Sequence, residues 1–169
     1  QENNIYRVLK SSGTTGKPSQ ILLDKTNAIN QSKALSRIFS DFLGLVRPNI
    51  LVVDSPSMLK ETQDYTARKA GIVGFGSLCR KRFFALKEDM SINIAAIIEC
   101  IETNEDDFLV YGFTYILWLY FMRSHIPDSI SEAFKRRAVL LHGGGWKKLA
   151  DLNISKNDFR NRVKANLGI

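Results

Sequence analysis

Cysteine and histidine are scarce in this chain, two of each in 169 residues. Cys79 and Cys100 stand far apart with no CxxC partner, which argues against a disulfide framework and a thiolate metal site and fits a reducing, cytoplasmic setting. His125 and His142 lack a nearby cysteine or carboxylate pattern, so no metal site built from protein ligands is expected. Long apolar runs are lacking too. The longest, "FLVYGFTYILWLYFM" at residues 108–122, carries a glycine and a threonine and is shorter than the ~20 residues of a membrane-spanning helix. It reads as a buried strand leading into a buried helix, with no membrane span. No charged-then-apolar signal segment follows Gln1. Fixed-period repeats and low-complexity tracts are absent, which argues against a solenoid.

What is present is ordinary globular composition: 44% hydrophobic and 24% charged residues, enough for one sizeable core. The net charge of +7 comes partly from "CRKRFF" around residues 80–82 and "FKRR" at 135–137. Solvated faces, a bound nucleotide or an acidic neighbour account for such clusters, and no nucleic-acid partner is expected. The acidic run "ETNEDD" at 102–107 lacks the glycine turn of a calcium loop and reads as a solvated helix end.

Along the chain, strand-like and helix-like patterns alternate. "IYRVL" and "QILL" flank a glycine loop as a hairpin would. Residues 26–43 follow helical spacing, with Thr26 as the expected N-cap. "NILVVDS" is a continuous apolar run, as a strand buried on both faces should be. "MLKETQDYTARKAG" reads as a helix ended by Gly71, with a short strand near 72–75. "SINIAAIIECIETN" reads as a helix capped by Ser91, "DFLVYG" as a buried strand, and "FTYILWLYFM" as a helix in a region closed by Pro127. "AVLLHGGGWKKL" is strand, glycine turn and helix start. In "SKNDFRNRVKANLG", Ser155 and Asp158 form an acidic capping box and Gly168 closes the helix. The alternation predicts an α/β fold, a largely parallel sheet with helices on its faces, over residues 1–169 as a single domain or a piece of one.

The chemistry concentrates in "LKSSGTTGKPSQILLD" at residues 9–24. A Walker A loop is excluded, because Ser11 stands where its first glycine belongs and Pro18 where its magnesium-binding hydroxyl belongs. The dinucleotide fingerprint fails as well, since Gly13 and Gly16 lack the preceding glycine and no helix follows directly. The phosphate loop of adenylate-forming enzymes, [ST]-S-G-[ST]-T-G-x-P-K, does match. Ser11, Ser12, Gly13, Thr14, Thr15, Gly16 and Pro18 agree, while Ser19 replaces the last lysine and Lys17 fills the free position. Glycines let the backbone approach phosphate oxygens, turn N–H groups form an anion-binding concavity, and the hydroxyls add neutral donors.

A second stretch, "LLHGGGWKKL" at 140–149, sets three glycines at the end of an apolar strand, the edge where parallel α/β sheets bind ligands. One glycine suffices for a tight turn; three leave a flat surface where an adenine can lie. With "SSGTTG", "NILVVDSP" and "VYGFTYILW" in that order, the chain resembles the acyl-protein synthetases of the LuxE type, in the adenylate-forming superfamily. The resemblance implies that a fatty acid attacks the α-phosphate of ATP, with Mg²⁺ screening the pyrophosphate, and that a cysteine thiol then takes the acyl group. A protein acceptor or reductase partner is implied with it.

Carried over by motif, the resemblance puts the ATP phosphates at Ser11, Ser12, Gly13, Thr14, Thr15, Gly16 and Lys17. It puts the adenine beside His142, Gly143, Gly144, Gly145, Trp146 and Lys147, and part of an acyl pocket at Phe113, Thr114 and Trp118. Core packing is the favoured reading for Trp118, and His142 either faces the nucleotide or simply ends its strand. The superfamily's Tyr-Gly-x-x-Glu element and the synthetase's acyl-accepting cysteine have no counterpart here. The chain is therefore expected to be the N-terminal ATP-binding portion of an enzyme, inactive by itself. Cys100 reads as a small core residue. An acyl- or aryl-CoA ligase fragment and a non-catalytic acyl- or protein-binding module are the alternatives.

Overall fold

The computed structural model describes residues 5–10, 19–60, 66–103 and 105–169. Strands β1 (Ile5–Lys10) and β2 (Gln20–Asp24) pair as an antiparallel hairpin. Strands β3 (Ile50–Val52), β4 (Arg82–Phe84), β5 (Phe108–Phe113) and β6 (Ala138–Gly143) form a second sheet in the order β4-β3-β5-β6, parallel throughout. The eight helices assigned among the described residues are α1 (Lys25–Leu43), α2 (Ser57–Lys60), α3 (Ala67–Ser77), α4 (Ile94–Glu102), α5 (Thr114–Ile116), α6 (Asp128–Arg137), α7 (Lys147–Ala150) and α8 (Lys156–Leu167). A π-helical turn, Leu117–Phe121, continues α5 and is closed by a bond from Met122 N–H to the Leu117 carbonyl. The expected α/β architecture with a parallel sheet is therefore the observed one.

The side chains of β5 alternate between two cores, as a period of two requires. Phe108 and Val110 join Leu51, Phe83, Ile97, Phe134 and Phe159 on one face. Leu109 and Tyr111 join Ile50, Val52, Phe39 and Ile72 on the other. Helices α4, α6 and α8 thus cover one side, and α1 and α3 cover the other.

Several boundaries differ from the expectations, each for a local reason. Asp24 rather than Thr26 caps α1, because its carboxylate accepts the Asn27 N–H at 2.7 Å. Asn93 rather than Ser91 caps α4, and Ser91 instead donates to Asp89. Pro127 opens α6, a helix hidden in sequence by its charged residues, and the preceding helical segment already stops at Phe121. The second half of the basic run "CRKRFF" is strand: β4 pairs there with β3. The Ser155–Asp158 capping box and the left-handed cap at Gly168 (φ 69°) stand as expected.

Gly71 does not end a helix, nor do residues 72–75 form a strand; α3 runs through both to Ser77. The glycine has another cause. Tyr111 reaches across from β5, and a Cβ at position 71 would overlap its hydroxyl. Burial, and secondarily the charge of Asp54, push the Tyr111 phenol up to about 12, so it stays neutral. Helix propensity favours Ala over Gly by ~1 kcal/mol, but a clash against a buried ring costs more. Gly71→Ala is expected to destabilise the fold by about 1–3 kcal/mol, measured by urea denaturation. An unchanged midpoint would show that Tyr111 does not occupy this position.

Candidate active site

The parallel register brings three strand ends to one edge. Val52 pairs with Tyr111 across β3 and β5, and Phe113 pairs with Gly143 across β5 and β6. Around these pairs the chain turns polar: Asp54 and Ser55 follow β3, Thr114 follows β5, and His142 lies next to the last residue of β6. Of the buried polar residues Asn49, Asp54, Ser55 and Thr114, only Asn49 lies at the opposite end of the sheet. Apolar strands ending in buried polar groups mark the edge where such sheets take ligands.

Thr114 joins two of these ends. Its hydroxyl donates to the Gly143 carbonyl at 2.9 Å and lies 2.9 Å from His142 Nδ1. The His142 ring packs against Phe159, with centroids 5.0 Å apart, while part of it stays open to solvent. Desolvation lowers the His142 pKa below its ordinary 6.5, which favours the neutral ring.

The three glycines have different causes. Gly144 has φ 99°, and a Cβ there would stand 2.8 Å from Phe113 Cδ1. The fold itself therefore requires glycine at 144. At Gly143 and Gly145 a Cβ would meet nothing within 4 Å. Neither has a positive φ. Chain geometry explains one glycine, and the other two leave open surface.

Phe159 organises the rest. Its ring lies 5.7 Å from Trp146 and 6.2 Å from Trp118, besides its contact with His142. Trp146 Nε1 donates to the Ile154 carbonyl at 3.0 Å, and Lys147 starts α7 as an exposed residue. So the expected adenine-side and acyl-pocket residues form one continuous set: Phe113 on Gly144, Thr114 on His142, Trp118 and Trp146 on Phe159. Trp118 and Trp146 are half-buried against the core. The phosphate loop, Ser11, Ser12, Gly13, Thr14, Thr15, Gly16 and Lys17, lies outside the described residues.

The model of the acyl-protein synthetase family, LuxE, matches residues 1–169. The chain belongs to that family. No curated protein matches it. Acyl-protein synthesis, a ligase activity, is thus the family-level function of the chain. No helix among the described residues is long and apolar enough to cross a membrane.

Two features of this family member escaped the sequence reading. Phe159 was legible in principle, since Phe159, Val163 and Leu167 repeat at four-residue spacing behind the capping box and are all buried. The Asp54–Arg68 pair had no sequence signal. Asp54 is 2% exposed and takes both Nε and Nη2 of Arg68, from the first turn of α3, as well as the Ser55 N–H at 2.7 Å. Removing Arg68 would strand a carboxylate in the interior, and such losses typically cost 3–5 kcal/mol.

The cysteines bear directly on an acyl-transfer chemistry. Cys79 and Cys100, the chain's two, are both buried. Desolvation pushes their thiols up to about 11 and about 12 respectively. Such thiols are neither ionised nor accessible at neutral pH, and thiolate is the nucleophile.

Three outcomes follow for stability. Gly144→Ala is expected to cost about 1–3 kcal/mol, while Gly143→Ala and Gly145→Ala stay within ~0.5 kcal/mol, all by chemical denaturation. Equal losses at all three would mean that chain geometry explains the whole triplet. For His142 the unfolded state takes up its proton first, because the folded pKa is the lower one. Its contribution is complete above pH ~6.5 and falls away as pH drops through the folded value, relative to a His142→Gln variant.

Proposed function

We propose that this chain is the ATP-binding portion of an acyl-protein synthetase that activates a fatty acid as its acyl-adenylate. A carboxylate oxygen of the acid attacks the α-phosphorus of ATP, and the bond to the pyrophosphate oxygen breaks. Pyrophosphate leaves with both electrons of that bond. A thiolate then attacks the acyl carbon, AMP departs, and a thioester remains. The observation that supports the reading most is the pair of unexplained glycines, Gly143 and Gly145, open at the C-terminal sheet edge beside His142 and Thr114. The adenylate-type phosphate loop at residues 11–17 supports it from sequence.

In this reading the residues of the β5 and β6 ends bind the nucleoside, and the loop hydroxyls and backbone N–H groups hold the phosphates. Mg²⁺, when bound, offsets the charge of the pyrophosphate group. The burial of Cys79 and Cys100 favours an accepting thiol contributed by another segment or another protein. We place the reaction in the cytoplasm.

The test is fatty-acid-dependent exchange of labelled pyrophosphate into ATP, in protein carrying these 169 residues together with any further segment of its natural chain. Exchange that requires the acid, falls at least tenfold in Gly143→Val and Gly145→Val, and survives Cys79→Ala with Cys100→Ser is the expected result. No exchange with fatty acids of any length would contradict the proposal. The acyl- or aryl-CoA ligase alternative would instead show release of the acyl group to coenzyme A and none to protein.

A further inference from the structure

The Thr114 hydroxyl has a single hydrogen, and its two contacts decide where that hydrogen goes. Gly143 offers a carbonyl oxygen 2.9 Å away, which can only accept. The hydroxyl must donate there. His142 Nδ1, 2.9 Å from the same hydroxyl oxygen, must then be the donor. Turning the hydrogen towards Nδ1 instead would leave two oxygens facing each other at 2.9 Å with no proton between them. Thr114 is 2% exposed, so water offers it little relief.

A neutral imidazole with its hydrogen on Nδ1 carries a lone pair on Nε2. The free side chain in water favours the opposite tautomer, so Thr114 imposes a state that the ring would not choose. Nε2 has no hydrogen-bond partner among the described residues. The ring itself sits directly before the glycine turn whose first and third residues leave open surface. Phe159, tilted against the ring with centroids 5.0 Å apart, limits its rotation.

We infer that Thr114 is a positioning residue that fixes His142 as a hydrogen-bond acceptor, and that His142 Nε2 thereby selects a purine carrying an amino group over one carrying a 6-oxo group. The inference rests on the nucleotide reading above and adds to it a base preference and the residue pair that sets it. An exocyclic amine presents hydrogen to the lone pair; a 6-oxo group presents a second lone pair and is repelled. With Nε2 protonated, the preference would reverse.

Ring-nitrogen NMR of ¹⁵N-labelled protein tests the first half without any ligand. These 169 residues hold two histidines, and a His125→Gln variant separates their signals. At pH 7.5, about one unit above the ordinary His pKa, His142 is expected to show a protonated-type Nδ1 shift and an unprotonated-type Nε2 shift. Thr114→Val should move the ring towards the Nε2-protonated form, and Thr114→Ser should restore it. Binding of ATP against inosine triphosphate tests the second half. The wild-type preference for ATP is expected to be about tenfold, the size of one hydrogen bond. It should shrink towards unity in Thr114→Val and return in Thr114→Ser, whereas mere loss of structure would weaken both nucleotides alike. An Nε2-protonated ring in the wild type, or a preference unmoved by Thr114→Val, would overturn the inference. Failure of the wild type to bind either nucleotide would overturn the base preference together with the nucleotide reading, while the ring shifts would still decide the tautomer.

Discussion

Strand β5 has to be covered from both sides. Phe108, Leu109, Val110 and Tyr111 are at most 4% exposed, and their side chains alternate between the two cores. Burying such residues contributes on the order of 1.5–3 kcal/mol each, so a strand with four in a row cannot rest at an edge or face water. The remaining elements answer that requirement. Strands β3 and β6 flank it in parallel, α1 and α3 close one face, and α4, α6 and α8 close the other. Parallel pairing in turn demands crossovers, which is why helices separate successive strands.

The same constraint creates the site. A strand that is apolar up to Phe113 must leave the sheet somewhere, and its first polar residue then lies buried among the ends of its neighbours. Thr114 meets this by bonding to both His142 and Gly143, so β5 and β6 are tied together where they end. On the other flank, Asp54 is satisfied by Arg68 and the Ser55 N–H, which anchors α3 beside the edge. A buried polar group left without such partners costs about 1–3 kcal/mol, more for a charge. The edge is therefore rigid where its polar groups are paired and open where Gly143 and Gly145 stand.

Sequence pattern revealed the sheet because β3 and β5 are apolar runs buried on both faces, and the half-buried edge strand β6 carries four apolar residues before His142. It revealed the glycine turn because three glycines are costly without a cause. It failed where tertiary contact decided the local outcome. Gly71 looked like a helix stop, yet it is glycine because Tyr111 crosses there. β4 looked like a charged surface run, since its three residues are mostly recognisable by their partner β3. Asp54 and Arg68 are 14 residues apart in the chain, and no local pattern joins them. Both caps moved by two residues because Asp24 and Asn93 have side chains as suitable as those of Thr26 and Ser91.

The central claim is that the joined ends of β5 and β6 form the nucleotide face. Amide hydrogen exchange tests it most directly, comparing the protein with and without ATP and Mg²⁺. The account predicts slowed exchange at residues 113–114 and 143–147 when nucleotide is present. Saturating nucleotide that slows amides elsewhere, such as in α1 and α3, and leaves those of the glycine turn unchanged would contradict it.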